Sequence, residues 1–285
     1  MASLQKIKTR INLIENTRKI TKAMELLSSA KIRKVKNNFL SIQEYAQTIN
    51  DILVSLVTKT DEISQLNTLD STKGKLYIII TSDLGLCGGY NSNIFKLLKN
   101  EIKPDDKLII FGNKGNSLFK EFESQIIDVF LNYGDDLNYD LVYRATKWAQ
   151  NLMDKKEISS VNVVYTKFIN SVSFEPTIKK LLPLNKEEII KENAKPLSNK
   201  GVITEFEPSA LVILKNLIPL YLGSSVFSFL AESKMSEMSA RRSAMENASN
   251  NADDIISYLE IVFNRGRQSS ITQEITEIIG GTSTE

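Results

Sequence analysis

Histidine is absent from this 285-residue chain, and cysteine occurs once, at Cys87. The first absence removes the commonest general base and the commonest metal ligand. With a single thiol as well, a structural zinc site is all but excluded and an internal disulfide is impossible. A lone thiol fits a reducing compartment. No run approaches 18 consecutive apolar residues, so no membrane span is expected. The opening MASLQKIKTR has no apolar core of the secretory kind, and no transit peptide is seen. No metal site or cofactor is expected from this inventory; carboxylate-based catalysis stays open, but nothing in the sequence demands it.

What is present is a soluble, core-forming composition, 42% hydrophobic and 25% charged. Net charge is +2, but its distribution is uneven. Residues 1–36 hold Lys6, Lys8, Arg10, Arg18, Lys19, Lys22, Lys31, Arg33, Lys34 and Lys36 against Glu15 and Glu25 alone. Residues 232–285 are mildly acidic, with nine carboxylates against five basic side chains. Opposed charge beside a helical seam helps choose partner and orientation, and the excess positive charge implies an acidic external partner.

Both ends read as long helices. Neither 1–57 nor 220–280 contains proline. Leu4, Ile7, Ile11 and Ile14 alternate steps of three and four, as do Ile32, Val35, Phe39, Ile42, Ala46, Ile49, Leu53 and Leu56. Between these runs the apolar set shifts to Ile20, Met24 and Leu27, which predicts a change of register around Arg18–Lys31. Met245, Ala248, Ala252, Ile255, Leu259 and Val262 predict the facing seam. That helix should start near Glu207-Pro208-Ser209-Ala210, kink at Pro219, weaken at Gly266 and stop at Gly280-Gly281. At 1.5 Å per residue the first helix would run roughly 80 Å, against about 50 Å for a compact globule of this size. A projecting rod is therefore expected.

The middle alternates strand and helix. Strands are predicted at Lys75–Thr81, Lys107–Phe111 and Ser160–Tyr165, with helices near 90–101, 114–122 and 137–153. This is an α/β domain with a largely parallel, Rossmann-like sheet. Residues 58–74 read as a polar linker and 185–205 as a surface excursion. The expected parts are a coiled-coil helix at 1–57, an α/β domain at 75–184 and a coiled-coil helix at 208–280 that packs with the first. The loop Thr81–Asn91 is glycine-rich and joins strand to helix, as phosphate loops do. It matches neither G-x-G-x-x-G nor G-x-x-x-x-G-K-[ST], so a tight turn is the stronger reading. Cys87 reads as a small packed residue, and Met235, Met238 and Met245 as core or seam. The basic cluster Lys31–Lys36 leaves a nucleic-acid-binding arm open as an alternative, and the α/β pattern leaves a nucleotide-binding enzyme open.

Several segments, in order along nearly the whole chain, resemble the gamma subunit of F-type ATP synthases. They are Ile14–Glu25, the D-x-G-L-C-G-G-x-N loop from Asp83 to Asn91, Lys167–Asn170, Pro176–Ile178, Leu181–Leu184, Ser236-Glu237, Ala240-Arg241, Ala244-Met245 and Asn264–Gln268 running on to Gly280. The resemblance implies a noncatalytic rotor shaft: an antiparallel coiled coil at the centre of a hexamer of alpha and beta subunits, with the α/β domain meeting the epsilon subunit and the membrane c ring. It implies a peripheral place on the cytoplasmic face of a bacterial membrane. It implies no nucleic acid and no membrane span of its own.

Residue by residue, Arg267 and Gln268 match the family's polar catch on the catalytic subunits, and Thr272 the same contact region. Met24, with Lys22, Lys31 and Arg33, matches the stretch facing their acidic lever. Ile271–Ile279, including Ile275 and Ile279, matches the tip that turns in an apolar sleeve. Phe206 and Glu207 match the foot toward epsilon and the c ring. Leu84 stands where a basic residue is usual, Gly266 where alanine is, and Arg242 where an apolar residue is common.

Overall fold

The computed structural model describes residues 2–59, 69, 72–134, 137–187, 189, 207 and 209–282. Most of the 58–74 linker and of the 185–205 excursion, with Phe206 and Pro208, lie outside them. The chain divides into two compact units, Lys31–Ala240 and a second made of Met1–Ala30 with Arg241–Glu285. The two long helices, α1 (Ala2–Lys59) and α5 (Ala210–Thr282), each contribute to both units.

The Lys31–Ala240 unit is built on a five-stranded sheet. Its strands are β1 (Lys75–Ile80), β2 (Lys107–Phe111), β3 (Ile126–Phe130), β4 (Ser160–Phe168) and β5 (Phe174–Leu182), in the order β3-β2-β1-β4-β5. β3, β2, β1 and β4 are parallel, and β5 returns antiparallel on β4. Neither β3 nor β5 is foreseen from the sequence. β3 is a short run interrupted by Asp128. β5 holds Glu175, Thr177, Lys179 and Lys180 and carries Pro176, which a sheet accepts on an edge.

Both faces of the sheet are covered, as the apolar strands require. On β1, Leu76, Ile78 and Ile80 enter one core, and Tyr77 and Ile79 enter the other. The first core takes Val142, Ala145 and Ala149 from α4 (Tyr139–Asp154), with Leu53 and Val57 of α1 and Leu222 and Val226 of α5. The second takes Ile94 and Leu98 from α2 (Tyr90–Leu98), and Phe119 just past α3 (Asn113–Leu118). α4 starts where the Asn138 side chain accepts the Asp140 N–H at 2.8 Å.

α5 starts at Ala210, behind Ser209, whose hydroxyl accepts the Val212 N–H at 3.4 Å. It is assigned as one helix through Pro219 and through Gly280-Gly281, ending at Thr282 rather than at the glycines. One 18-residue window of α5 has a mean hydropathy of 1.6 and is long and apolar enough, on those grounds alone, to cross a membrane. In this fold, Leu214, Leu217, Leu222, Val226 and Leu230 of α5 belong to the sheet core.

The predicted change of register in α1 does not occur. The side chains at least half-buried along α1 include Leu4, Ile7, Ile11, Ile14, Arg18, Thr21, Glu25, Ser28, Ile32 and Val35, still stepping alternately by three and four. The heptad spacing continues through polar residues, while Ile20 and Leu27, expected in the seam, are 61% exposed. In the unit of the two chain ends, Arg18 pairs with Asp253 and Thr21 with Ser249, so the helices run antiparallel. In the sheet unit, Val35 packs on Met235 and Met238.

The facing seam is corrected at two positions: Ser249, 4% exposed, rather than the half-buried Ala248, follows Met245 inward. Ile256 is 9% exposed and Ile255 is 43% exposed, so Ile256 rather than Ile255 follows Ala252 inward. Ile256→Ala is expected to destabilise the chain by about 2–3 kcal/mol, and Ile255→Ala by under about 1 kcal/mol. Chemical denaturation of the two variants side by side checks the assignment, and equal losses would overturn it.

Candidate interaction surfaces

The collar of α1 inverts the usual helix pattern. Thr21 and Ser28 turn inward, while Leu13, Ile20, Leu26 and Leu27 are each more than half exposed. Met24 is half-buried and Lys22 exposed, both in the unit of the chain ends. Lys31 and Arg33 are exposed in the sheet unit. A groove of about 450 Å³ in the first of these units is lined by Arg18, Lys19, Lys22, Leu26, Asn250 and Asp253.

Collar charge is partly answered within the chain. Arg18 Nη1 donates to Asp253 at 2.5 Å, and that bond, then the charge of Asp253, raises the guanidinium pKa further. Lys22 Nζ lies 2.9 Å from Glu25. These bonds occupy cations that a phosphate backbone would use. Arg242 is half-buried, and its Nε has no hydrogen-bond partner among the described residues.

At the other end of the same unit, a Cβ on Gly266 would meet Leu4 Cδ2 at 2.8 Å. The glycine thus makes room for the start of α1 and does not interrupt α5. Beyond it Arg267, Gln268, Thr272, Ile275 and Ile279 are all exposed, as is every residue from Ile271 to Ile279. Gln268, Thr272, Ile275 and Ile279 step by four, three and four, so they form one stripe of the helix. Thr272 Oγ1 donates to Gln268 O at 2.9 Å, within the helix. Of the foot residues, Glu207 is exposed and Phe206 lies outside the described residues.

The Thr81–Asn91 loop is occupied by its own bonds. Asn91 Oδ1 accepts the Ser82 N–H at 3.0 Å, and its Nδ2 donates to Ser82 Oγ at 2.7 Å. Asp83 accepts from the N–H groups of Asn113 at 3.2 Å and Asn132 at 2.9 Å. Cys87 is buried at 2% exposure beside Tyr90 and Ala240, a packed residue. Leu84, in place of the usual basic side chain, is 69% exposed.

A fourth surface, missed in the sequence, lies inside. Every residue of α5 from Ser233 to Ala240 is buried, although Ser233, Lys234, Ser236, Glu237 and Ser239 are among them. Ser233 Oγ lies 2.7 Å from Tyr90 Oη and accepts the Thr166 N–H at 3.3 Å. Ser236 Oγ donates to Thr166 O at 3.0 Å. Lys234 pairs with Glu237 at 3.2 Å and lies 5.1 Å over the Tyr133 ring. Glu232 accepts the Phe168 N–H at 3.1 Å, yet burial outweighs that bond and the nearby Lys167, and holds its carboxyl above the usual carboxylate range. Serines at a helical spacing of three, Ser233, Ser236 and Ser239, interleaved with Met235 and Met238, were the available signal.

Comparison with known proteins gives a consistent answer. A family model described as ATP synthase matches residues 3–284. The ATP synthase gamma chain of Mycoplasmopsis pulmonis is 44% identical over 284 residues, covering 99% of each chain. That of Mycoplasma mobile is 43% identical, covering 100% of each. Among solved structures, the rotor of Euglena gracilis mitochondrial ATP synthase superposes with a TM-score of 0.67 at 18% identity, over 95% of this chain and 99% of that one. The central stalk of Tetrahymena thermophila mitochondrial ATP synthase gives 0.64 at 24% identity, over 81% and 99%.

The raised carboxyl of Glu232 makes a pH test. A carboxyl whose folded pKa lies above its unfolded one favours the folded state most when protonated, and that contribution is lost as pH rises through the folded value. Glu232→Gln keeps an acceptor for the Phe168 N–H without the buried charge. It is expected to unfold at a higher temperature than wild type at pH 7, the gap closing below the carboxylate range. Thermal unfolding at both pH values checks this, and a pH-independent gap would refute it.

Proposed function

The chain belongs to the ATP synthase gamma-chain family, and from that premise we propose how its surfaces serve the motor. It is the central rotor shaft and a noncatalytic subunit, a peripheral component of a bacterial membrane complex. It couples rotation of the c ring to sequential conformational change in the catalytic subunits, and the reverse during ATP hydrolysis. Its partners are the alpha and beta subunits of the catalytic hexamer, the epsilon subunit and the c ring. We place it on the cytoplasmic face.

One observation carries the assignment of surfaces: α5 is exposed all round from Ile271 to Ile279, with a polar then apolar stripe running on from Gln268 along one side. A lone helix end is asymmetric about its own axis. Three equivalent catalytic subunits around it would meet three different faces, and differential contact is what shifts conformational equilibria. Arg267 and Gln268 supply directed polar contacts to their loops, with Thr272 alongside. Ile275 and Ile279, which are 51% and 60% exposed, fit an apolar bearing. At the collar Lys22, Met24, Lys31 and Arg33 meet the acidic lever segment. Ile20, Leu26 and Leu27 add apolar contact between the lysines. Glu207, with Phe206, faces epsilon and the c ring.

Arg267→Ala with Gln268→Ala, in the assembled enzyme, is expected to leave the chain folded, because both side chains are solvent-exposed. ATP-driven ion pumping and ATP synthesis should fall about three- to ten-fold, as for loss of an anchoring polar contact. Reconstituted vesicles measure both, and wild-type coupling with wild-type turnover would sink the catch assignment.

A further inference from the structure

An open, mostly parallel sheet takes its ligand at the carboxyl ends of the strands, at the point where the strand order reverses. Here β1 is followed outward by β2 and β3 on one side, and by β4 on the other. The helices agree with this, for α2 packs in one core and α4 in the other. The reversal therefore lies between β1 and β4.

At that point α5 crosses the carboxyl edge, bonded to β4 through Ser233, Ser236 and Glu232. β1 pairs with β4 up to Ile79 and Val164, and β4 then continues to Phe168 with β5 on its other side. Opposite Thr166 stands Pro176, which has no N–H to give. The Thr166 N–H goes to Ser233, the Thr166 carbonyl to Ser236, and the Phe168 N–H to Glu232. Side chains of α5 thus stand in for the strand that β1 ceases to provide. On the loop side, Tyr90 Oη donates to Ser233 O at 3.2 Å and lies 2.7 Å from Ser233 Oγ. Tyr133, whose hydroxyl donates to Thr81 O at 2.7 Å, offers its ring face to Lys234.

We propose that the ligand crevice of this sheet serves as a torsional socket for α5, keyed by Ser233 and Ser236 against Thr166 and Tyr90. This rests on the reading of the chain as a rotor. An apolar helix in an apolar groove can turn about its axis at small cost, because apolar contact is not directional. Hydrogen bonds weaken steeply once donor and acceptor lose alignment. Two serines on one helix face hold both backbone groups of a single strand residue, so rotation of α5 either way misaligns both bonds. Twist applied to the sheet unit is then delivered to α5 at a fixed angle. Ser233 and Ser236 are positioning residues, since they act through the backbone of Thr166.

The test uses the whole ATP synthase complex with Ser233→Ala and Ser236→Ala combined, substitutions that keep the packing nearly intact. With the catalytic hexamer arrested, a bead on the sheet unit reports torsional stiffness through its angular fluctuation. The proposal expects stiffness to fall about two-fold or more, with ATP hydrolysis unchanged, since aligned bonds are lost but packing is not. Ser233→Thr, which retains a hydroxyl, is expected to keep wild-type stiffness. Tyr90→Phe reads the same quantity where the double variant does not assemble. Unchanged stiffness in assembled variants would overturn the socket, even with a lowered unfolding temperature, because a merely structural role predicts that pattern. A wild-type bead that does not turn with ATP would instead overturn the rotor reading.

Discussion

A helix surrounded on every side must find partners for the polar groups it carries, and α5 between Ser233 and Ala240 is such a helix. Fully buried helices are ordinarily apolar all round. This one meets a strand whose edge has lost its neighbour, and each supplies what the other lacks. β4 has backbone donors and an acceptor beyond the end of β1, and α5 has two hydroxyls and a carboxylate at the matching rise. A Leu or Val at either serine would leave Thr166 with a buried, unbonded backbone group, a cost that offsets the benefit of a larger apolar side chain. Ser233, Ser236 and Glu232 thus follow from where the sheet stops.

The collar of α1 shows the opposite arrangement. Its heptad spacing stays regular, but Arg18, Thr21 and Ser28 take the inner positions, and Leu13, Ile20, Leu26 and Leu27 the outer ones. For an isolated pair of helices this is a poor choice, because apolar burial is forgone and polar groups must be bonded across the seam. Arg18–Asp253 and Thr21–Ser249 answer that second demand. The exposed leucines have no such answer among the described residues. Sequences break their own local rules where another requirement prevails, and the contact with outside subunits proposed above is such a requirement.

Much of this was legible in sequence, for identifiable reasons. The long proline-free runs and the spacing Ile32 to Leu56 are strong periodic signals, and both helices and three parallel strands follow from them and from the β-rich runs between. Gln268, Thr272, Ile275 and Ile279 come from the family resemblance, and only their common face follows from helical spacing. The register at the collar was misread because apolar residues were taken to mark the seam, and there they mark the surface. Ile255 was preferred to Ile256 because either fits a spacing of three or four, and only the packed structure separates them. β5 was invisible because an edge strand with Pro176 lacks an apolar alternation. The socket was invisible because it depends on where β1 ends relative to β4, a long-range fact.

A shaft that turns against several partners in succession faces two opposed demands, and this chain meets them at different places along its two long helices. Where α5 must not slip, its contacts with β4 are buried, directional and hydrogen-bonded. Where the shaft must part from one partner and meet the next, a deep apolar surface would hold too tightly. Ile20 and the Leu26-Leu27 pair flanked by lysines at the collar, and isoleucines interleaved with Gln273, Glu274 and Glu277 at the tip, offer little apolar area at any one place. Each contact can then be exchanged at low cost, while the sum over a turn still distinguishes one face from another. Specificity of angle comes from the socket, and reversibility of contact from the sparse exposed surface. Moving the polar set outward and the leucines inward would give a more stable coiled coil and remove both properties.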